Sequence, residues 1–186
     1  MTSTERPLDA IRSSMIRRML RESLLDAQLY EEVEADRGAT RQAFAVVALS
    51  AVAAGIGALQ RHGVSVIGWY TAAALMGWWV WAWVTYLIGT RILPDAETQA
   101  DSGELLRTIG FSSAPGTLRI LALFSPIAGA VFLLSTTWML VAMVIAVRQA
   151  LDYRTTGRAI AVCALGFPIY ALILAVSLLL LGPWPL

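Results

Sequence analysis

Long apolar segments fill the chain beyond its first 41 residues, and they restrict its possible folds more than any other feature. A bilayer core about 30 Å thick is crossed by about 20 apolar residues in an α-helix. Because lipid cannot satisfy backbone polar groups, a helix is the simplest way to cross it. We therefore predict an all-α bundle of five membrane spans, at residues 43–60, 64–90, 118–134, 136–151 and 158–181.

Charged residues are concentrated ahead of these segments. The first forty residues hold eight of the thirteen acidic residues and six of the fourteen basic ones. The whole chain is 58% hydrophobic and 15% charged, whereas a soluble domain is about 25% charged. We divide the chain into a polar arm, residues 1–41, and a membrane domain, residues 42–186. The net charge of +1 gives no field that would attract nucleic acid.

Apolar residues in the arm recur at helical spacing. Leu8, Ile11, Met15 and Met19 follow one another at intervals of three and four residues, a period typical of an amphipathic helix. Such a helix either lies on the membrane or a partner, or packs over the membrane domain. We take Ile11, Met15 and Met19 as a candidate interaction surface for membrane lipids or for a protein partner.

The arginines predict the orientation, since short cytoplasmic loops are enriched in basic residues. All fourteen basic residues are arginine, a usage typical of a GC-rich bacterial genome. With the arm in the cytoplasm, only Arg61 falls outside. We therefore expect a bacterial inner-membrane protein with a cytoplasmic N-terminus and a C-terminus on the far side, where Trp184 would anchor the tail in the interface.

Residues for catalysis or metal binding are scarce. The chain has one cysteine, Cys163, and one histidine, His62, too few for a disulfide or a zinc site of these ligands. The serines of GFSSAPG have no base within predicted reach, because His62 is expected on the opposite side of the membrane. We predict a non-enzymatic protein with no catalytic residue, metal or cofactor.

Ionisable residues inside spans mark ion and proton pathways, and the predicted spans hold essentially none. Arg119, Arg148, Asp152 and Arg158 fall at predicted cytoplasmic ends, where they would serve as snorkelling anchors. This distribution disfavours a transporter. Only two prolines inside predicted spans, Pro126 and Pro168, favour one.

The second span contains the segment WWVWAW. Its four tryptophans form two stripes on a helix, one of Trp78 and Trp81 and the other of Trp79 and Trp83. An interfacial belt combined with core packing explains such residues without a ligand. A platform for lipid, pigment or a partner subunit is the alternative.

Four segments together resemble the Yip family of five-span membrane proteins. They are the Trp-rich second span ending in LIGTRIL, the loop GFSSAPG, the segment WMLVAMVIAVRQALDY and TTGRAIAV, within residues 40–182. The resemblance implies five spans, a cytoplasmic N-terminus and, in eukaryotic members, binding of prenylated GTPases and membrane shaping. The DLYGP-like motif of those members is absent, so GTPase binding is not carried over. The implied cytoplasmic face would include Gly110, Phe111, Pro115, Arg148, Tyr153 and Arg158.

Two functions compete on these observations. The first is a membrane scaffold or adaptor that binds lipid or a protein partner, or a second copy of itself, through its cytoplasmic face. The second is an accessory subunit of a larger membrane complex, of respiratory or photosynthetic type, packed through the tryptophan stripes. A small-solute transporter ranks third.

Overall fold

The computed structural model describes residues 7–62, 65–98 and 100–181, and every regular element in these ranges is helical. Besides the α-helices, the chain contains a π-helical turn, Ile88–Ile92, and two 3₁₀-helices, Ala114–Leu123 and Ser125–Ile127. The α-helices are α1 Pro7–Ser23, α2 Ala27–Ala35, α3 Ala39–His62, α4 Ser65–Leu87, α5 Ser102–Phe111, α6 Ala128–Ala150 and α7 Thr156–Leu181.

Four helices of the described chain, α3, α4, α6 and α7, are long and apolar enough to cross a membrane. Much of the surface of α6 and α7 is apolar and exposed, for example Leu133 at 71% and Leu172 at 64%. Apolar surface of this extent is costly in water and suits lipid.

The predicted hairpin between a third and a fourth span is wrong. Residues 135–137, predicted as its turn, lie in the middle of the continuous helix α6. Their hydroxyls are satisfied within the helix: Ser135 donates to the carbonyl of Phe132 at 3.2 Å and Thr137 to that of Leu133 at 2.9 Å. Back-bonding of this kind lets Ser and Thr remain inside a helix, so three polar residues do not make a turn.

Residues 114–127 run beside α3, in the same direction, as a 3₁₀ segment. Gly110, near the end of α5, lies against Ala43, and within the segment Gly116 lies against Ser50 and Arg119 against Gly57, so the segment follows the second half of α3. A 3₁₀-helix rises about 2.0 Å per residue against 1.5 Å in an α-helix. Fourteen residues therefore reach about 28 Å, where an α-helix of equal length would reach about 21 Å. Pro126 lies in the short 3₁₀-helix before α6 and does not kink a span.

The two ends of the bundle differ in which connecting segments lie there. We call the end where α3 begins the arm end, and the opposite one the distal end. The turn between α6 and α7 lies at the arm end with the end of α4, because the Tyr153 hydroxyl donates to the carbonyls of Gly89 at 3.2 Å and Leu93 at 2.7 Å. The α4–α5 connection lies there too, since Arg158 donates to the carbonyl of Pro94 at 2.7 Å.

Two apolar clusters hold the arm end together. One joins α4, α5, α6 and α7 around Ile88, Leu105 and Leu151, and the other joins α2, α3 and α5 around Leu29 and Phe111. All five of these side chains are at most 2% exposed, and burying one contributes about 1.5–3 kcal/mol. The clusters share α5, so this short helix locks the arm onto the bundle.

Helix α5 begins with a capping box. The Asp101 carboxylate accepts from the backbone N–H of Gly103 at 2.5 Å and of Glu104 at 2.9 Å, and Glu104 accepts from the Asp101 N–H at 2.7 Å. Reciprocal pairing of this kind satisfies N–H groups that the first helical turn leaves open. It fixes where the chain turns back into the bundle after α4.

Candidate functional site

Helix α1 is packed on the bundle and presents three different sides. Met15 and Met19 pack against the cluster around Leu29 and Phe111. At spacings of four residues, Ile16, Leu20 and Leu24 point outward and are 49%, 64% and 81% exposed. We call these three residues the outer stripe. Two of the predicted interaction residues therefore face the protein. The third, Ile11, has a side chain outside the described part of the structure.

Ion pairs with α2 occupy the third side of α1. Arg18 pairs with Glu32 at 2.9 Å and with Asp36 at 3.0 Å, and Arg21 pairs with Asp26 at 2.8 Å and with Glu32 at 2.7 Å. The hydrogen bond from Arg21 lowers the pKa of Asp26. Burial opposes ionisation of Glu32, but its hydrogen bonds from Arg21 and Arg18 outweigh burial and lower its pKa. These pairs fix the angle between α1 and α2.

One carboxyl group of α1 is buried between the arm and the bundle. Glu22 is fully buried, and the hydroxyl of Tyr30 donates to it at 3.2 Å and lies 3.3 Å from the carbonyl of Ala142 in α6. The second carboxyl oxygen of Glu22 has no hydrogen-bond partner. Burial raises the pKa of Glu22 from 4.5 to about 8, although the bond from Tyr30 works against the shift. Glu22 is therefore protonated at neutral pH.

A buried arginine joins α5 to the end of α2. Arg107 is 6% exposed, and its Nε donates to the carbonyls of Val33 and Glu34 at 3.1 Å each, while its terminal nitrogen also contacts Glu34. A cation suits the carbonyls that a helix C-terminus leaves open. Sequence reasoning missed Arg107, because nothing in the local pattern distinguishes it from a solvent-exposed arginine of an amphipathic helix.

A polar cleft of about 530 Å³ opens at the arm end between α2, α5 and the α6–α7 turn. Within it, Gln149 donates to Glu31 at 3.2 Å and Arg154 pairs with Glu97. Burial, and then the neighbouring Glu104 and Asp152 carboxylates, raise the pKa of Glu34 to about 7. We call this the arm-end cleft; its charged lining residues are Glu31, Glu34, Glu97, Glu104, Arg148, Asp152 and Arg154.

The predicted residues at the α6–α7 turn divide by exposure. Arg148 lines the cleft, and its guanidinium contacts the carbonyl of Tyr153 at 3.3 Å. Arg158 is exposed, while Tyr153 is only 3% exposed because its ring fills the gap beside the end of α4. Arg148 and Arg158 remain candidates for binding, and Tyr153 positions the turn that carries them.

The residues of GFSSAPG named as a cytoplasmic face are buried. Gly110, Phe111 and Pro115 all lie inside the bundle. Gly110 is pressed against Ala43 and the Trp78 ring, so a side chain there would overlap with α3. These residues cannot contact a partner in this conformation. The segment serves instead to start the 3₁₀ run beside α3.

The structure separates the four tryptophans of α4 into the same two pairs as the sequence. Trp78 and Trp81 face inward: the Trp78 indole donates to the carbonyl of Leu106 at 2.9 Å, and Trp81 meets Tyr170 of α7 edge to face at 5.3 Å. Trp79 and Trp83 face outward and are 53% and 48% exposed. Only the outer pair is available to lipid or to a partner helix.

One arginine is half-buried against the side of α6 and does not lie at an end of the bundle. Arg119, predicted as an anchor at a cytoplasmic end, donates from Nε to the Ser135 hydroxyl at 3.2 Å and from a terminal nitrogen to that of Thr136 at 2.9 Å. It also lies over the Phe132 ring, 5.5 Å from its centroid. Because Thr136 is eight residues into α6, the guanidinium lies about 12 Å along the helix from the distal end.

Arg119 lines a second cavity, of about 320 Å³, between α3, α4, α6 and α7. Its walls are mostly apolar, and the inward tryptophans Trp78 and Trp81 form part of them. Among the described residues, no group of three or more His, Cys, Asp and Glu side chains is arranged to hold a metal ion.

These features define an α-helical integral membrane protein with a polar arm docked on one end of its bundle. Residues 26–178 match the Yip1 domain, which covers α2 to α7, and the chain belongs to that family. The resemblance found in the sequence is thereby confirmed. No curated protein matches the chain, and no solved structure does.

Proposed function

We propose that this protein is a non-enzymatic scaffold of the bacterial inner membrane, with its arm end in the cytoplasm, that binds a protein partner in the arm-end cleft. The observation that carries the proposal is the docked arm. It places a side packed on protein, an apolar side and a charged side on one helix, α1, at the end of the bundle. A helix with an apolar and a charged side suits the boundary between lipid and water, and the docked α2 beside it supplies one wall of the arm-end cleft.

Five crossings of the membrane follow if residues 114–127 carry the chain from the arm end to the distal end. The segment runs along α3 as far as Gly57, and α6 then returns to the arm end. Its reach of about 28 Å matches a hydrocarbon core of about 30 Å. The third crossing is thus a stretched helix, and an odd number of crossings puts the termini on opposite sides.

The orientation rests on the arginines. Apart from Arg61 and Arg119, all of them belong to the arm, to α5 or to the arm-end termini and turns of the membrane helices. Basic residues in short loops are retained in the cytoplasm. The arm end is therefore assigned to the cytoplasmic side.

Lipid contact by the arm involves the outer stripe and not Met15 or Met19. Met15 and Met19 pack on the bundle, so their replacement would release the arm whether or not it touches lipid. An environment-sensitive fluorophore on a cysteine at Leu20 or Leu24, with Cys163 replaced by Ala, distinguishes contact of the arm with lipid from packing of the arm on the bundle. In nanodiscs, spin-labelled lipid should quench both positions and leave Arg154, exposed on the rim of the arm-end cleft, unquenched. Equal quenching at all three positions contradicts the lipid contact.

Partner binding is tested by photocrosslinking in the native cells. A photoreactive amino acid at Arg154, on the rim of the arm-end cleft, should give a discrete protein adduct. Leu133, 71% exposed on α6, is the lipid-facing control, and Arg17 is the control for exposure on the arm. Absence of a protein adduct at Arg154, or the same adduct at all three positions, contradicts the cleft as a partner site.

A second function, an accessory subunit of a larger membrane complex, is favoured by one further surface. Met76, Trp79 and Trp83 form an outward stripe on α4 with 66%, 53% and 48% exposure. Aromatic and Met side chains are enriched at protein interfaces. A crosslinker at Trp79 that captures a stoichiometric membrane protein supports this function, and capture of lipid alone removes it.

A further inference from the structure

The cavity beside Arg119 combines hydrogen-bond donors with hydrocarbon walls. It has a volume of about 320 Å³, within the range of ligand pockets but near its lower end. Two lining residues, Leu140 of α6 and Phe167 of α7, are also 53% and 65% exposed on the outer surface. The cavity therefore reaches the lipid-facing side between these two helices, and a molecule can enter it from the bilayer.

Two donors at the cavity lack an acceptor that fully satisfies them. Trp81 is 8% exposed, lines the cavity, and its indole N–H has no hydrogen-bond partner. An unpaired N–H away from water costs free energy that a bound acceptor would recover. Arg119 is the second donor, and the neutral hydroxyls of Ser135 and Thr136 cannot balance its charge.

No carboxylate of the described chain forms an ion pair with Arg119. A charge at this depth in a membrane is expensive, and such residues normally have a partner of opposite charge. The hydroxyls and the Phe132 ring offset part of the cost. A bound anion would offset the rest, because charge-assisted hydrogen bonds are about twice as strong as neutral ones.

We propose that this cavity binds a long-chain carboxylate, with its head at Arg119 and Trp81 and its hydrocarbon chain passing out between α6 and α7. The donors select an oxyanion, and the apolar walls and lateral opening select a hydrocarbon tail. The depth of about 12 Å selects a small head, since a phospholipid head group with its glycerol would have to leave the interface entirely. The site is separate from the arm-end cleft and does not depend on partner binding there, but its depth in the membrane rests on the crossing by residues 114–127 proposed above.

The test is photolabelling of the full chain in nanodiscs of zwitterionic phospholipid. The probe is a long-chain carboxylate with a diazirine in its tail, and the labelled positions are mapped by mass spectrometry. Adducts are expected on α6 and α7 around Leu140 and Phe167. Oleate should compete, while oleyl alcohol, which keeps the tail and lacks the charge, should compete at least about tenfold less well.

Variants separate recognition of the head from folding. Arg119→Gln should weaken competition by oleate about tenfold or more, and Arg119→Lys less, because Lys keeps the charge. Trp81→Phe keeps a ring of similar shape, loses the N–H and should weaken it by a smaller factor. Arg91→Gln, an exposed arginine at the arm end, is the control and should bind as the unmodified chain does.

Two results would overturn the assignment. One is equal competition by oleate and oleyl alcohol, which would mean that the cavity binds the hydrocarbon chain and does not recognise the carboxylate charge. The other is displacement of the probe by phosphatidylglycerol but not by oleate, which would assign the site to a phospholipid. If Arg119→Gln aggregates, the difference between oleate and oleyl alcohol on the unmodified chain still decides the proposal.

Discussion

The arm end and the distal half of the bundle differ in whether their arginines are paired with carboxylates. At the arm end, Arg18 and Arg21 of α1 meet carboxylates of α2 and its flanking residues at 2.7–3.0 Å, and Arg107 caps the end of α2. Toward the distal end, Arg119 meets only hydroxyls and an aromatic ring among the described residues. An ion pair near the surface, such as that of Arg21 with Glu32, stabilises little, whereas a lone charge within a membrane is costly.

Paired charges at the arm end stabilise the structure of the arm, whereas the charge of Arg119, which pairs with no described carboxylate, is suited to binding a ligand. The arginines of α1 are paired with carboxylates and hold the arm in place, and the arm-end cleft beside them is lined by five acidic residues and two arginines. The charge near the distal end is not compensated within the described chain, which makes the adjoining cavity selective for an anion. Variants that change one region at a time test this difference.

The largest effect is expected where the 3₁₀ segment touches α3. A side chain on Gly57 would overlap with the carbonyl oxygen of Arg119, which is backbone and cannot rotate away. Gly57→Ala should therefore lower the free energy of unfolding by about 2–3 kcal/mol, measured as thermal stability in detergent. Gly129→Ala, with no atom within 4 Å of the new group, is the matched control and should be neutral or slightly stabilising.

Equal stability of the two glycine variants would mean that the 3₁₀ segment does not pack on α3. It would also remove the contact that places Arg119 beside α6.

A smaller loss is expected from the hydroxyls that support Arg119. Ser135→Ala should cost about 1–2 kcal/mol, because the buried Ser135 hydroxyl loses a hydrogen bond from a charged group. Thr136→Val should cost less, because the Thr136 side chain is exposed. Thr137→Val is the control, because that hydroxyl bonds only to the carbonyl of Leu133 in its own helix. Thermal unfolding of the three variants should rank Thr137→Val nearest to the unmodified chain, and a loss as large at Thr137 would contradict the contact with Arg119.

The arm end should respond to pH through Glu22. Its pKa is raised in the docked state from 4.5 to about 8, so docking is strongest below the lower value and weakens as pH rises through the upper one. Asp26 and Glu32 act in the opposite sense. Because their pKa values are lowered, their contribution to docking is lost only as pH falls into the acid range. A distance probe between α1 and α6 should therefore report release of the arm as pH rises toward 8 and beyond.

Glu22→Gln should keep the arm docked through this range, because the amide has no proton to lose. Loss of docking at the same pH in the variant would assign the response to another group.

The sequence predicted the helices that carry a full apolar run and failed where the backbone leaves the α-helix. The first, second and last predicted spans match α3, α4 and α7 closely. The hydropathy of residues 118–134 predicts an α-helical span, because hydropathy does not distinguish a rise of 1.5 Å per residue from one of 2.0 Å. Ser135 and Thr136 then appeared to be a turn, when they are the partners of Arg119. Trp spacing correctly separated two stripes, but only tertiary packing shows that Phe111, Pro115 and Tyr153 are core.

Cysteine accessibility tests directly whether residues 114–127 cross the membrane. In a Cys163→Ala background, single cysteines at Ala96, in the α4–α5 connection, and at Gly129, beside the distal turn, are treated in intact cells with a membrane-impermeant maleimide. We predict that Gly129→Cys reacts from outside and Ala96→Cys reacts only after permeabilisation. Reaction of both positions under the same condition would put them on one side of the membrane and contradict the third crossing.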